Sequence, residues 1–473
     1  MRPSLRALLA LVSLAAASAA EAQRPTLSAA VRRYVQSDAA AVALRHVRVI
    51  DGTGAAPRED QTLLIRDGRI AAIGAEGTVA IPADAESRDL TGRSVIPGLV
   101  MVHEHLYYPV GGGTYGNLTE SFSRLYLAGG VTSLRTGGNM NGYAEINLAK
   151  AIARGEKPGP WIDATAPYLT GPGLAFTQMT SITTPAEARR MVEFWADAGA
   201  TSFKAYMHIS REVLGAAIGA AHARGLKVTG HLCSVTYAEA AALGIDNLEH
   251  GFFASTDFVA GKQADQCRQQ GQAEQSIALD TSRAEMRALI AELVRHKVAI
   301  TSTLTIFETF VPGRPMPPGL DVLEPSLRED FERRHAATAG RTSGYTQLYP
   351  AGRAAELAFA RAGGLLVAGT DPTGGGGVVA GYSNQRALEL LVEGGFTPLE
   401  AIRIGTLNGA IYLGREAEVG SLVVGKQADL VVIGGNPAVR IDDVRRVELV
   451  FRQGIAYDPQ KLVESVRGKV GIF

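Results

Sequence analysis

The sequence lacks an excess of charge of either sign. Its 473 residues include 47 lysines and arginines and 47 aspartates and glutamates, so the formal net charge at pH 7 is zero. Proteins that bind nucleic acids or anionic membrane surfaces usually carry a basic stripe, and the sequence shows none. We therefore expect a small-molecule substrate, with no nucleic-acid partner and no membrane association of the mature chain. The sequence leaves a homo-oligomer open.

Cysteines and long apolar runs are scarce as well. Two cysteines exclude a disulfide-rich scaffold. Residues 1–22 begin with basic residues, continue with an apolar run shorter than the ~20 residues of a membrane span, and end in small residues that suit a signal peptidase. We expect this segment to be a signal peptide and the mature protein to be periplasmic or secreted. Export allows a disulfide between Cys233 and Cys267, but a buried cysteine also packs well as a small apolar residue, so both alternatives stay open.

Both ends of the chain have the pattern of β structure. Apolar and polar residues alternate in "VALRHVRVIDG" and "QTLLIRDGRIAAIG", with Asp67 and Gly68 where a two-residue hairpin turn would lie. Near the C-terminus, "ADLVVIGGNP" and "VELVFRQGIAYD" again read as strand, turn and strand. The pattern predicts one small β domain built from both ends of the chain.

The middle of the chain has a different periodicity. Eight short apolar or β-branched runs recur, at "LVMVHEH", "GVTSLRTG", "WIDATAPYL", "ATSFKAYM", "LKVTGHL", "GIDNLEHG", "KVAITSTLT" and "GLLVAGTD". Helix-like stretches such as "TPAEARRMVEFWADAG" separate them. Eight strand-helix units predict an α/β fold with a (β/α)₈ TIM barrel, whose active site lies at the C-terminal ends of the strands. The competing doubly wound sheet would need a glycine-rich phosphate loop where "VMVHEH" stands.

Ligand-type residues end several of the predicted strands. On a strand, His103 and His105 point the same way, into the barrel, while Glu104 points toward the surrounding helices. Two histidines alone could be hydrogen-bonded core residues. Further ligand-type residues, however, occupy comparable positions on later strands: Lys204, His231, His250 and Asp371. Burying all of these polar side chains costs free energy unless each has a partner, and a divalent metal ion that they coordinate would be such a partner.

The chain resembles the metal-dependent amidohydrolase superfamily, and within it the imidazolonepropionase-like and prolidase-like amidohydrolases. The motifs "VIPGLVMVHEH", "SFKAYM", "VTGHL", "GIDNLEHG", "AGTDP" and "VGSLVVGKQADLVVIGGNP" carry the resemblance. It implies a distorted (β/α)₈ barrel over residues 98–411. It also implies a small β-sandwich domain from both chain ends, made of residues 23–97 and 412–473.

The resemblance also implies a binuclear metal site, with zinc expected. It assigns His103, His105 and Asp371 to the more buried metal ion, His231 and His250 to the second, and Lys204, N6-carboxylated as a carbamate, to both. Asp371 would also act as the proton acceptor. Lys204 could instead be an ordinary lysine that extends to solvent. One position departs from the family pattern: Met101 stands where an acidic residue usually precedes the first histidine, which puts the support of that strand in doubt.

The expected activity is that of an exported amidohydrolase, such as a dipeptidase, which cleaves a peptide-like or N-acyl amino acid amide bond. A lactonase or deaminase on the same site is an alternative, and so is a non-catalytic binding protein on the same scaffold. Four residues at or just beyond strand ends are candidate substrate contacts, although loop or core packing explains each equally well: Tyr107, Arg135, Tyr206 and His208. Residues 311–345 form an insert before the last strand that could shape the pocket.

Overall fold

The structure is a computed structural model that describes residues 24–174, 176 and 178–472. The signal peptide predicted for residues 1–22 lies outside the described residues. Within the described ranges, no helix has both the length and the apolar character that crossing a bilayer requires.

Nineteen strands are found in the described ranges. They are β1 (Val35–Ser37), β2 (Ala41–Val49), β3 (Arg58–Arg66), β4 (Arg69–Ala75), β5 (Glu86–Asp89), β6 (Ser94–Pro97), β7 (Leu99–Glu104), β8 (Tyr107–Pro109), β9 (Tyr115–Asn117), β10 (Val131–Thr136), β11 (Trp161–Asp163), β12 (Ser202–Ala205), β13 (Lys227–Gly230), β14 (Asn247–Glu249), β15 (Ala299–Ser302), β16 (Leu366–Ala368), β17 (Leu430–Ile433), β18 (Val447–Arg452) and β19 (Ile455–Tyr457).

The same part of the chain contains fifteen α-helices. They are α1 (Ala29–Arg32), α2 (Thr119–Ala128), α3 (Tyr143–Ala153), α4 (Pro185–Ala198), α5 (Arg211–His222), α6 (Tyr237–Ala242), α7 (Gln272–Ala278), α8 (Ala284–Arg295), α9 (Leu304–Glu308), α10 (Pro325–Ala339), α11 (Tyr345–Arg361), α12 (Tyr382–Glu393), α13 (Pro398–Arg403), α14 (Gly409–Leu413) and α15 (Pro459–Glu464). Short 3₁₀ turns occupy Leu320–Val322 and Ile441–Arg445, and a π turn occupies Ile404–Asn408.

Eight parallel strands form the centre of the molecule. Their order is β11-β10-β7 in one sheet and β12-β13-β14-β15-β16 in the other. A parallel bridge between Thr165 and Ser202 joins the chain after β11 to β12. After β16, the backbone N–H groups of Thr370 and Asp371 donate to the carbonyl oxygen of His103 at 3.0 and 3.1 Å. The α/β class and the eight predicted strand segments are confirmed, whereas closure of the two sheets into one barrel stays a prediction.

Local sequence signals explain where the intervening helices begin and end. At the start of α4, the Thr184 side chain accepts from the backbone N–H of Glu187, and the Glu187 side chain bonds back to the N-cap. The helix ends at Gly199, which has a φ of 108°. Glycine adopts this left-handed conformation with little strain because it has no Cβ. Thr236 and Glu239 form the same capping box at α6. These signals set where the helices between the strands begin and end. Because the strands are parallel, their C-terminal ends lie at one common edge.

The two ends of the chain combine in a nine-stranded sheet. Its order is β1-β19-β18-β17-β6-β2-β3-β4, with β5 paired to β2. The key contact pairs β17 antiparallel to β6, with Leu430 opposite Pro97. The predicted β domain from both chain ends is therefore confirmed as a sheet. The two layers of the predicted sandwich are not shown, and the domain boundaries at residues 97, 98, 411 and 412 stay predictions.

The predicted insert, residues 311–345, lies between β15 and β16 and contains α10. Phe331 of α10 packs on the glycine-rich loop that follows Asp371, since a Cβ on Gly377 would lie 2.3 Å from the Phe331 ring. The Tyr108 hydroxyl accepts from the backbone N–H of Gly377 at 2.7 Å. The insert therefore packs against the loop beside Asp371, at the edge where the parallel strands end.

A disulfide joins two loops at this same edge. Cys233 follows β13, Cys267 lies in the loop between β14 and α7, and the two Cα atoms are 4.8 Å apart. Of the two alternatives left open by the sequence, the structure shows the bridge. Because Cys233 lies two residues after His231, the bridge holds the loop next to that histidine.

Reduction of this disulfide should lower the midpoint of thermal unfolding. The bridge closes a loop with a sequence separation of 34 residues. For a loop of that size the chain-entropy model gives a stabilisation of about 4 kcal/mol. Thermal unfolding with and without a reductant measures the effect, and the double variant Cys233→Ser/Cys267→Ser serves as a reference that reductant should not change. An unchanged midpoint on reduction, or two free thiols in the unreduced denatured chain, would contradict the expectation.

Candidate metal centre

Two histidines on β7 project into the same space. His103 and His105 are each 1% exposed, and their ring centroids lie 5.2 Å apart in an edge-on arrangement. Glycines on both sides make room for His103. A Cβ on Gly137 would lie 2.3 Å from the His103 ring, and a Cβ on Gly369 would lie 2.4 Å from the Cβ of His103. Larger residues at either position would displace the histidine.

Two further histidines close the cluster. His231 follows β13, His250 follows β14, and their ring centroids are 4.4 Å apart. The His250 ring centroid also lies 4.7 Å from that of His103. The Thr303 hydroxyl lies 2.9 Å from Nδ1 of His250, which fixes the ring from the side of β15. The four predicted histidines are therefore contiguous.

Asp371 joins the imidazoles from the chain that follows β16. Its Oδ1 lies 3.1 Å from Nε2 of His105 and 3.9 Å from Nε2 of His103, and its Oδ2 lies 3.7 Å from Nδ1 of His250. The backbones of His250 and Asp371 have φ values of 69° and 56°. A non-glycine residue in this region carries conformational strain, and such residues cluster at functional sites. Two of them meet in this one cluster.

Lys204 lies on β12, below the histidines, and is 1% exposed. Its Nζ is 3.3 Å from Oε1 of Glu249, but it has no hydrogen bond of acceptable geometry to any described residue. Burial lowers the pKa of Lys204 to about 8, although the Glu249 carboxylate opposes that shift. A substantial fraction of the amine is therefore uncharged slightly above neutral pH.

Burial also controls the protonation of the cluster. It lowers the pKa of His105 to about 4 and that of His231 to about 3, and it holds the pKa of His250 well below its ordinary value. These rings are therefore neutral at pH 7, which is the form that binds metals. Burial by itself disfavours the charged form of Asp371, but the contact with His105 and the other histidines holds its pKa well below the usual range.

The donor set fits a divalent metal. Ligand atoms of His103, His250 and Asp371 lie within 4.8 Å of one another. Neutral imidazole nitrogens and a carboxylate oxygen are the ligands that zinc prefers when thiolates are lacking. The structure brings all six predicted ligands together: His103, His105, Lys204, His231, His250 and Asp371. Their individual roles as ligands stay predictions.

A buried carboxylate that the sequence analysis did not single out lies beneath the cluster. Glu249 is 0% exposed, its Oε2 accepts from Nδ1 of His103 at 2.6 Å, and its Oε1 accepts from Nη1 of Arg135 at 3.1 Å. The signal in the sequence is an acidic residue inside an apolar strand, directly before His250 in "GIDNLEHG". A residue of this kind needs a buried partner.

The position of Arg135 corrects the prediction that it contacts substrate. Its side chain is 1% exposed and is turned into the interior. Besides Glu249, it donates to the carbonyl oxygen of Val102 at 3.0 Å and to the Thr229 hydroxyl at 2.8 Å. A guanidinium with these interior partners is not available at the mouth of the site. Interior acceptors, rather than a ligand, explain why the side chain is held there.

Glu104 faces away from the cluster, as predicted. Its carboxyl group accepts from Nδ2 of Asn384 on α12 at 2.9 Å and from the Thr370 hydroxyl. Burial raises the pKa of Glu104 to about 8, so this side chain is mostly uncharged at pH 7. It therefore braces β7 against α12 without adding a full charge next to the histidines.

Tyrosines form one wall of the cluster. Tyr107 stacks on His105 with ring centroids 4.4 Å apart, and its hydroxyl lies 2.6 Å from that of Tyr168. The Tyr206 ring contacts both Tyr168 and His231, with centroids 5.0 and 4.9 Å apart. Tyr107 and Tyr206 thus lie beside the cluster, and their predicted substrate contacts stay predictions. Sequence reasoning missed Tyr168, which no spacing rule connects to His105.

His208 lies farther out than Tyr206. Its Nδ1 is 2.9 Å from the carbonyl oxygen of Pro172, and it lines a separate cavity of about 480 Å³ together with Asp265 and Cys267. The structure shows no contact between His208 and the predicted ligands among the described residues. Its predicted substrate contact therefore has no support in its position.

Residues 94–456 of the chain match the family model described as amidohydrolase family. Curated relatives match over shorter stretches. A dihydroorotase of Mycobacterium tuberculosis is 30% identical over 139 residues, which is 29% of this chain and 31% of the relative. A D-hydantoinase of Streptomyces coelicolor is 39% identical over 74 residues, 15% of this chain and 16% of the relative. These matches span less than a third of either relative.

Solved structures are similar over most of the chain. A candidate prolidase from Bifidobacterium longum has a TM-score of 0.67 and 25% identity, and the match covers 90% of this chain and 98% of that one. A Xaa-Pro dipeptidase with bound methionine has a TM-score of 0.66 at 19% identity, with 88% and 100% covered, which supports the fold alone. The family match covers well over half of the sequence, and the chain belongs to the amidohydrolase family.

Proposed function

We propose that this protein is an exported, metal-dependent hydrolase that cleaves the amide bond of a peptide-like or N-acyl amino acid substrate and uses two divalent metal ions, with zinc as the expected metal. The observation that carries the proposal is the buried cluster of four imidazoles, one carboxylate and one lysine amine at the ends of parallel strands. Membership of the amidohydrolase family supports the same reaction class.

The two ions would be held by the six residues of the cluster. His103, His105 and Asp371 would hold the more buried ion, and His231 and His250 the second. Bound zinc polarises a carbonyl group and lowers the pKa of water, so that hydrolysis can proceed near neutral pH. His103 and His105 lie on β7, whereas His231 follows β13 and His250 follows β14, so the positions of three strands set the space between the two pairs.

Asp371 is the proposed general base and acid. The histidines around it keep the carboxylate ionised, as a base requires, and the Thr373 hydroxyl donates to its Oδ1 at 2.7 Å. Asp371 would take a proton from the attacking water and deliver it to the leaving amine. Tyr107, Tyr168 and Tyr206 would shield this step from bulk water and offer hydroxyl groups to the substrate.

Lys204 is the proposed carbamate. Its amine is buried and partly uncharged above neutral pH, and the uncharged amine can react with carbon dioxide. The carbamate would keep one N–H, which could donate to Glu249, and would direct two anionic oxygens toward the metals. An unmodified ammonium at the same place would oppose the binding of cations.

Export is supported by the N-terminal pattern of residues 1–22 and agrees with the Cys233–Cys267 disulfide, because such bridges persist in oxidising compartments. For the substrate, the 25% identity to the candidate prolidase favours dipeptides. Hydrolysis assays of the zinc-loaded protein on dipeptides, N-acyl amino acids and cyclic amides test the proposal directly. Turnover of none of these amides would contradict it.

Replacement of His103 by Asn should abolish hydrolysis and reduce bound zinc, because it removes a ligand from an otherwise packed cluster. We expect a loss in kcat/KM of at least about 10²-fold, the lower end of what general base catalysis contributes, because Asp371 would no longer face a metal-activated water. His222→Asn is a matched control, since His222 lies on the surface of α5 and pairs with Asp246 at 2.9 Å. Near-normal turnover of the His103 variant, or an equal loss in the control, would contradict the assignment.

The neutral state of His231 can be tested by pH in the metal-free protein. Its folded pKa of about 3 lies below the unfolded value, so the unfolded chain alone takes up a proton between about pH 6.5 and 3. Acidification therefore removes stability through this residue. From pH 7.5 to 5, the wild type should lose about 2 kcal/mol of unfolding free energy relative to His231→Asn.

Urea unfolding of both proteins at the two pH values measures this difference. The buried carboxyls Glu104, Glu145 and Glu356, whose pKa values burial raises to about 8, act in the opposite direction, but they cancel in the comparison because both proteins contain them. A difference in unfolding free energy that does not change with pH would show that His231 titrates normally.

Replacement of Lys204 by Ala should abolish hydrolysis, and added short carboxylic acids should restore part of it by occupying the place of the carbamate. Lys150→Ala, on the exposed side of α3, should keep full activity and gain nothing from the acids. A ¹³C-bicarbonate exchange experiment followed by NMR should also show a carbamate signal in the wild type that the Lys204 variant lacks. A metal-loaded, active wild type without that signal would refute the carbamate.

A further inference from the structure

The one acidic residue of the strand that carries His103 is Glu104, and its carboxyl group faces away from the ring, toward Asn384. The position two residues before His103 holds Met101, which is 0% exposed and belongs to the apolar core. A thioether is only a weak acceptor and cannot hold an imidazole N–H as a carboxylate does. Support for His103 must therefore come from another strand.

Glu249 on β14 provides that support. Its Oε2 accepts from Nδ1 of His103 at 2.6 Å, and the two side chains are 0% and 2% exposed. Once Nδ1 carries the proton, Nε2 is the unprotonated nitrogen, and this atom is the one that lies 3.9 Å from Oδ1 of Asp371. The hydrogen bond thus selects the tautomer and turns the lone pair of His103 toward the centre of the cluster.

Arg135 holds Glu249 in turn, and it connects the strands below the cluster. It donates to Oε1 of Glu249, to the Val102 carbonyl oxygen and to the hydroxyls of Thr229 and Ser202. Thr229 and Ser202 lie two residues before His231 and Lys204 on their own strands. The guanidinium therefore occupies the layer directly beneath the cluster and contacts residues of β7, β12, β13 and β14 from its place on β10.

We propose that Glu249 is a positioning residue for His103 and that Arg135 keeps its carboxylate in place, which compensates for the acidic residue that position 101 lacks. The part of this inference that concerns metal binding rests on the proposed function. The tautomer and orientation of His103 are properties of the chain itself. Lys204 adds to the arrangement, because the same carboxylate lies 3.3 Å from its Nζ.

Zinc affinity is the first measurement. Glu249→Gln keeps the size of the side chain and removes its charge, so it should weaken zinc binding about 10- to 100-fold, as the loss of an outer partner of a metal-bound histidine does. Glu145→Gln is the matched control, since Glu145 is equally buried, is mostly uncharged at pH 7, and bonds to Asn141 rather than to a predicted ligand. An unchanged zinc affinity in Glu249→Gln would overturn the proposal.

A second variant separates positioning from stability. Glu249→Gln leaves the Arg135 guanidinium buried beside a neutral amide, which alone could destabilise the fold. The double variant Glu249→Gln/Arg135→Met removes both charges of the pair. Weak zinc binding in the double variant at a restored thermal midpoint supports positioning, whereas zinc affinity that returns with stability shows a structural role only.

The third measurement needs neither metal nor substrate. In metal-free protein labelled with ¹⁵N-histidine, the Nδ1–H of His103 should give a far-downfield, slowly exchanging proton resonance, because the hydrogen bond to Glu249 is short and charge-assisted. That resonance should disappear in Glu249→Gln and persist in Glu145→Gln. Its absence from the wild type would refute the positioning role, even if the protein proves to be a zinc hydrolase. Its presence in a protein that binds no zinc would refute only the proposed function.

Discussion

The cost of burying polar groups is the constraint on which this structure depends. Four imidazoles, an amine, a guanidinium and two carboxylates lie inside an α/β core, where each group must find a partner within the protein. The carboxylate of Glu249 meets this need for three of them, with contacts of 2.6 Å to His103, 3.1 Å to Arg135 and 3.3 Å to Lys204. Removing it would deprive His103 and Arg135 of this hydrogen-bond acceptor and Lys204 of its ion-pair partner.

The backbone accommodates this cluster at a few specific positions. A Cβ on Gly137 would collide with the ring of His103, and a Cβ on Gly369 would collide with the Cβ and backbone of His103. His250 and Asp371 are held at positive φ, which a regular strand would not impose. The N–H groups of Thr370 and Asp371 donate to the His103 carbonyl oxygen and so hold the segment that follows β16 against the end of β7. The contacts around the cluster therefore hold His250 and Asp371 in strained backbone conformations.

The sequence predicted the eight strands and the meeting of the six ligand-type residues, because strand alternation and the common edge of parallel strands depend on spacing alone. It could not predict the direction of Arg135, which lies on a strand just before the edge and is turned inward by acceptors from four other strands. Glu249 and Tyr168 were missed for the same reason. Their partners, His103 and Tyr107, are 146 and 61 residues away in the chain, and no local pattern encodes such contacts.

The charge balance of the cluster links the proposed carbamate to the proposed metals. Without metal, the charges of Arg135 and of protonated Lys204 oppose those of Glu249 and Asp371, and His105, His231 and His250, whose pKa values burial lowers, add none at pH 7. A carbamate on Lys204 would replace a cation by an anion and leave the buried site with excess negative charge, which a low-dielectric interior disfavours. Two divalent cations would reverse that excess and bind the new oxygens. Carbamate formation and metal binding should therefore favour each other, and each alone should be weak.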